Sequence, residues 1–239
     1  MIDDPWHVIV LIPARDEEEL LPRCLRSVLI SVGQLPKRVG SDIIVISDSS
    51  TDRTSKIATT MLGSSTAVVN AHVGSVGSAR RLAADHFLKR YRGSLDRLWL
   101  ANTDADCIVP PSWLSDQLSL ADQGIEAIAG IVSVDSFDEH GPEVPKRFQA
   151  TYTIHGDGSH PHIHGANLGV RADAYLRAGG WSELHTAEDH ALWRCLLREG
   201  TRTVSTARIE VSTSGRRVGR APHGFAGALA AHNEAVLLA

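Results

Sequence analysis

Two aspartates separated by one residue, in Asn102-Thr103-Asp104-Ala105-Asp106-Cys107, directly follow the apolar run 98–101. At the carboxyl end of a parallel strand both carboxylates face the crevice where open α/β sheets bind ligands. Hard oxygen donors in that place suit Mg2+ or Mn2+, with phosphate oxygens and water completing the shell. An acidic turn held in solvent is the plainer account of the same spacing. Polar segments also close two other apolar runs: Pro13-Ala14-Arg15-Asp16-Glu17 and Asp48-Ser49-Ser50-Thr51-Asp52-Arg53-Thr54. They are expected beside the aspartate edge, where a nucleobase and ribose could be held, or else as helix caps with Asp16 or Thr51 at the N-cap.

Two further groups carry charge or ligating nitrogen. Arg216, Arg217, Arg220 and His223 lie among Gly219 and Gly224. Such a segment can close over a diphosphate and exclude water, or it can be an exposed basic tail. His155, His160, His162 and His164 form the other group. In a strand, alternation puts His162 and His164 on one face. That suits either a transition-metal site or, more simply, one histidine lining a cleft with the others exposed or satisfied locally; no nearby cysteine supports structural zinc.

These residues need a scaffold, and hydrophobic spacing supplies one. Short apolar runs at 8–12, 43–47, 67–70 and 98–101 predict strands buried on both faces. Helical three- and four-residue spacing appears between them at 17–32, closed by Gly33, and at 52–62 and 78–91. Strand-helix alternation means βαβ units and a mostly parallel, Rossmann-like sheet. Beyond Pro110-Pro111 the spacing predicts a helix at 112–123 and a strand at 127–134. The pattern weakens over 135–161, with a loop at 156–159. It returns as a strand at 162–170, helices at 172–178 and 188–199, short strands at 203–204 and 209–211, and a terminal helix at 224–238.

Composition narrows the class. The chain has 239 residues, 43% hydrophobic and 22% charged, which excludes disorder, collagen-like repeats and disulfide scaffolds. A net charge of −4 and a pI near 6.3 give no general attraction to nucleic acid or anionic lipid. Cys24, Cys107 and Cys195 form no C-x-x-C pair, as expected of reduced thiols in a cytoplasmic protein. No apolar run approaches the ~20 residues of a membrane span, and Met1-Ile2-Asp3-Asp4 lacks the positive start of a signal peptide. Cytoplasmic location is expected, with peripheral contact at the inner membrane face left open.

The order of motifs, Ile-Pro-Ala-Arg-Asp-Glu, Asp-Ser-Ser-Thr-Asp-Arg-Thr, Gly77-Ser78-Ala79-Arg80, Thr-Asp-Ala-Asp with Pro111-Ser112-Trp113-Leu114, then Gly165-Ala166-Asn167 and Glu188-Asp189, resembles glycosyltransferase family 2 over about residues 6–200. The resemblance implies the α/β GT-A fold as a single domain. A nucleotide-sugar half would span about 6–110, an acceptor half about 111–213, and a basic loop with a C-terminal helix 214–239. It implies an inverting, Mn2+- or Mg2+-dependent transfer from a nucleoside diphosphate sugar, a UDP- or GDP-sugar, to an acceptor hydroxyl of a small molecule, glycan or lipid.

Carried over by position, Pro13, Ala14 and Glu17 would line the base and ribose site together with Arg15, and Asp48 would accept from a pyrimidine ring N–H. Ser47 stands where the family usually has a second acid. Asp104 would hold the ribose or assist the metal, and Asp106 would be its direct ligand, with His223 completing the shell. Arg80 would meet phosphate or be solvated at the surface. Asp189, at a helix start, would be the base that takes the acceptor proton, with Glu188 the next candidate. His164, Gly165, Ala166 and Asn167 would wall the acceptor pocket, Gly165 by admitting close approach. Trp181 would stack on a sugar or fill the core, and the apolar C-terminal stretch would pack on the domain or on a second copy.

Two other classes share this scaffold. A sugar-phosphate nucleotidylyltransferase would need a glycine-rich triphosphate loop, and Pro13-Ala14-Arg15-Asp16-Glu17 has no glycine. A non-catalytic nucleotide-sugar-binding subunit would keep the fold without a working base.

Overall fold

Val8, Ile9, Val10, Leu11 and Ile12 are each fully buried in the centre of strand β1 (His7–Ala14). Their alternation feeds two separate cores, one on each face of the sheet. Each such side chain contributes about 1.5–3 kcal/mol on leaving water. The computed structural model describes residues 5–63, 67–220 and 224–234.

Helix α1 (Leu21–Gly33) buries Leu21, Cys24, Leu25 and Val28 against one face of β1. It starts later than the spacing predicts, at Pro22 in its first turn, and it runs through Gly33 to Gln34. Strand β2 (Gly40–Asp48), helix α2 (Thr54–Leu62), strand β3 (Val68–Ala71), helix α3 (Val76–Leu88) and strand β4 (Leu98–Asn102) continue the alternation. Helix α4 (Trp113–Asp122) and strand β5 (Ala127–Val134) follow.

The second half departs from expectation in three places. Helix α5 (Val144–Thr151) occupies the weakly patterned stretch. Residues 162–164 are not in the sheet; after a tight turn at Gly165–Asn167, strand β6 spans Leu168–Arg171. Helices α6 (Ala172–Arg177) and α7 (Glu188–Arg198) then lead to β7 (Thr203–Thr213), one strand where two short ones are expected. A register shift opposite Gly130 and Ile131 lets β7 continue through its polar middle. Helix α8 (Phe225–Glu234) follows.

The seven strands form one sheet in the order β3-β2-β1-β4-β6-β5-β7. β6 runs antiparallel to both its neighbours; the other pairings are parallel. The carboxyl ends of β1, β2, β4, β5 and β7 therefore share one edge, and β6 starts from it. Chain order reverses between β1 and β4, the place where such sheets open a crevice.

Candidate active site

At that edge lies a cavity of about 430 Å3, within the range of small-molecule sites. Pro13, Ala14, Arg15, Glu17, Asp48, Asp104, Asp106, Arg216 and Arg220 all reach its wall. So do residues the motif reading passes over: Gly74, Ser75 and Val76, where α3 begins, and His185 before α7. The signal for the first group is Ser75, whose Oγ accepts from Ser78 N as a helix cap. Helix N-termini of this kind favour anions.

Side chains zip the loops after β1 and β2 together. Oδ1 of Asp16 accepts from the backbone N–H of Thr51 at 2.8 Å, Oγ1 of Thr54 from that of Glu17 at 2.8 Å, and Oδ2 of Asp52 from that of Glu18 at 3.0 Å. Asp16 thus clamps a neighbouring loop and caps no helix; Leu20 is the N-cap of α1 and Arg53 that of α2. Among the described residues, the non-glycine positions with positive φ are Asp16, Ser49 and Ala187, all in loops around this edge. Left-handed backbone at such residues costs energy and gathers at functional sites.

Asp48 is 5% exposed, and the protein already uses its lone pairs. Oδ1 accepts from Val73 N (2.8 Å), Gly74 N (3.3 Å) and Ser49 Oγ (3.1 Å), and Oδ2 from Arg15 Nη2 (2.6 Å). Burial works to raise its pKa, yet these N–H groups and Arg15 hold it below the ordinary value. Little accepting capacity remains for a base N–H. Arg15, whose Nε also donates to Asp48 O, lines the cavity beside it.

Asp106 shows the opposite balance. Burial raises the pKa of Asp106. Burial likewise pushes Glu17 up to about 7, against the pull of Arg216 and with the push of Asp106. Arg216 sits between the two: Nη1 is 2.7 Å from Oε1 of Glu17 and Nη2 is 2.9 Å from Oδ2 of Asp106. Arg220 donates to the backbone oxygen of Asp16 at 2.8 Å. Arg217 is exposed and outside the cavity wall, its backbone N–H held by Glu139. His223 lies outside the described residues.

Asp104, Asp106 and Cys107 bring ligand atoms within 4.8 Å of one another, the one such group found among the described residues. Burial raises the Cys107 thiol well above its ordinary value, so it stays protonated and is a poor ligand for a hard cation. The two carboxylates fit Mg2+ or Mn2+, and the guanidinium of Arg216 already stands against one of them as a positive charge. The histidine row is no such group. Its rings share one face without a strand, stacked at 5.9 and 6.1 Å, with Tyr152 on His162 at 4.0 Å.

Other expected positions lie away from the cavity wall. Arg80 is 2% exposed, with its guanidinium on Glu188 and Asp104, so it is not free at the surface for phosphate. Glu188 and Asp189 begin α7. Oδ2 of Asp189 accepts from Gly165 N at 2.9 Å and Oδ1 from His190 N at 2.7 Å. Nε2 of His164 is 3.0 Å from Tyr152 Oη, and burial lowers the histidine pKa to about 4, so the ring is neutral. Ala166 is buried. Asn167 is an internal strut, accepting from Trp113 Nε1 and donating to the backbone oxygens of Ile131 and Ile209. Trp181 is fully buried beneath Arg80, a core residue with no face for a sugar.

An open crevice at a topological switch point, lined by paired aspartates and arginines, is where an open α/β sheet takes a ligand. Residues 5–221 match the family described as "Glycosyltransferase like family 2". The chain therefore belongs to glycosyltransferase family 2, and its fold is GT-A. No curated protein matches the chain in sequence. The structure of S. aureus TarS 1-349 is 14% identical, with a TM-score of 0.63 over 88% of this chain and 60% of that one. Its complex with UDP-GlcNAc gives 16% identity and a TM-score of 0.62 over 90% and 60% of the two chains. The mannosyltransferase PcManGT from Pyrobaculum calidifontis, in complex with GDP-Man and Mn2+, gives 17% and 0.65 over 97% and 70%. The chain thus spans 60% of the TarS 1-349 chain. Among the described residues, no helix is long and apolar enough to cross a membrane.

Proposed function

We propose that this protein is an inverting glycosyltransferase that moves a sugar from a UDP- or GDP-sugar to an acceptor hydroxyl with the help of Mn2+ or Mg2+. The observation that carries the reading is the pair of buried acids, Glu17 and Asp106, bridged by the partly exposed Arg216 at the switch-point cavity. UDP-GlcNAc and GDP-Man in the related folds support the donor class.

Pro13, Ala14 and Arg15 line the base and ribose end. Base recognition falls to Arg15, because Asp48 spends its lone pairs on Val73, Gly74, Ser49 and Arg15 itself. Asp106, with Asp104 beside it, would hold the divalent cation, which would supply charge stabilisation for the departing diphosphate. Arg216 leaves its carboxylates for the diphosphate oxygens, a charge-assisted contact that Arg220 extends.

Asp189 is the base. It takes the acceptor hydroxyl proton as that oxygen attacks the anomeric carbon from the face opposite the breaking C–O bond to diphosphate. The N–H groups of Gly165 and His190 aim its carboxylate. Glu188, tied to Arg80, is left to a supporting role.

Incubation with a panel of UDP- and GDP-sugars and Mn2+ tests this reading. Release of one nucleoside diphosphate, with NMR showing the product's anomeric configuration opposite to the donor's, is expected. Retained configuration would overturn the assignment of Asp189, and no release from any donor would overturn the transferase reading.

A further inference from the structure

Arg80 stands outside the cavity wall but joins the elements on either side of the proposed chemistry. Its Nη1 donates to Oε1 of Glu188 at 2.7 Å and its Nη2 to Oδ1 of Asp104. One carboxylate comes from the start of α7, the other from the end of β4. The guanidinium carbon lies 4.9 Å from the centroid of Trp181. Gly165 packs against the same group: a Cβ there would lie 2.6 Å from Cζ of Arg80. The N–H of Gly165 is the one that holds Asp189.

Helix α3 is seated to match. A Cβ on Gly77 would overlap the Ser182 carbonyl oxygen and lie 3.0 Å from Cβ of Glu188. The first turn of α3 therefore rests directly on the segment that enters α7. Stability is a weak reason for this arrangement, because desolvation offsets most of the attraction in a buried ion triad. Nε of Arg80 is moreover buried without a hydrogen-bond partner. What the site uses is the planar fork of a guanidinium, which spans two carboxylates in fixed geometry as an ammonium cannot.

We propose that Arg80 is a positioning residue that sets the placement of Asp189 relative to Asp104, acting through Gly165 and the first turn of α7. The catalytic part of this rests on the function proposed above; the placement of Asp189 does not. Arg80 touches neither donor nor acceptor. Its loss should slow the chemical step and leave donor binding nearly intact.

The test combines backbone hydrogen exchange with steady-state kinetics on the full chain and on Arg80→Gln, Arg80→Lys and Gly165→Ala. Amide protection at residues 165 and 188–190 is expected to fall about tenfold or more in each variant without ligand, while β1 keeps its protection. Since ~1 Å of misplacement costs about 100-fold, kcat should drop on that order, with KM for donor within about threefold. Gly165→Ala keeps the charge of Arg80 but takes its seat, so the double variant Arg80→Gln/Gly165→Ala should be no slower than the slower single one.

Full recovery of kcat in Arg80→Lys would overturn the proposal, as would losses that multiply in the double variant or unchanged protection at residue 165. Should Arg80→Gln not fold, Arg80→Lys and Gly165→Ala decide the matter by the same two readouts. Should the wild-type chain transfer no sugar, lost protection at residue 165 upholds the positioning role while the transferase reading falls.

Discussion

Nη2 of Arg216 stands 2.9 Å from Oδ2 of Asp106, so the loop after β7 is pinned by one of the acids it covers. The same guanidinium reaches Glu17 at 2.7 Å. On the function proposed above, a cation arriving at Asp106 would compete with this arginine, and a diphosphate arriving with the cation would give the arginine a new partner. Metal and nucleotide binding would then depend on Arg216 in opposite directions.

Arg216→Ala should bind Mn2+ more tightly than wild type when no nucleotide is present, by about tenfold, because a competing charge is gone. Nucleoside diphosphate affinity in the presence of Mn2+ should fall by about 10- to 100-fold, the worth of a charge-assisted hydrogen bond. Titration calorimetry reads both. Parallel changes in the two affinities would contradict the exchange of partners.

Glu17 gives the protein a pH dependence of definite sign. Burial raises its pKa to about 7, so between pH 4.5 and 7 the folded chain keeps a proton that the unfolded chain has lost. This group's contribution is therefore most favourable at or below pH 4.5, declines as pH rises to 7, and is level above. In Glu17→Gln the decline disappears, and the variant gains on wild type steadily from pH 5 to pH 7. Urea midpoints at several pH values test this; a difference independent of pH would contradict it.

His164 acts the other way. Burial lowers its pKa from 6.5 to about 4, so as pH falls through this window the unfolded chain takes up a proton that the folded chain refuses. Stability from this group is present above pH 6.5 and lost toward pH 4. His164→Gln should flatten that loss while keeping a polar partner for Tyr152. The same urea series checks it.

Asp48 and Arg15 should separate stability from binding. Asp48→Ala leaves the N–H groups of Val73 and Gly74 without their acceptor and should cost about 2–4 kcal/mol. Arg15→Ala, at a half-exposed partner, should cost less than about 1 kcal/mol. It should nonetheless weaken nucleoside diphosphate binding more than it weakens inorganic diphosphate binding. Chemical denaturation and competition binding measure the two effects.

The parallel strands β1, β2, β4 and β5 are readable in the sequence because they are continuous apolar runs; β5 matches its expected bounds of 127–134. Helix α5 escapes because Val144 is its single buried residue, which leaves no repeating apolar stripe to find. β7 reads as two fragments because Ser205, Thr206 and Arg208 interrupt it where its register shifts. At the cavity, residues at strand ends are legible one by one. The contacts of Arg80 are not, since joining residues 80, 104 and 188 depends on how Gly77 seats α3 against the approach to α7.

On the proposed function Asp106 serves donor binding and Asp189 serves proton removal. Calorimetry with UDP and GDP, with and without Mn2+, on wild type, Asp106→Asn and Asp189→Asn, paired with a donor-turnover assay, tests it directly. Mn2+-dependent binding of one nucleotide by wild type, loss of that binding in Asp106→Asn, and unchanged binding without turnover in Asp189→Asn are expected. Binding that ignores Mn2+ and Asp106, or turnover that survives in Asp189→Asn, would contradict it.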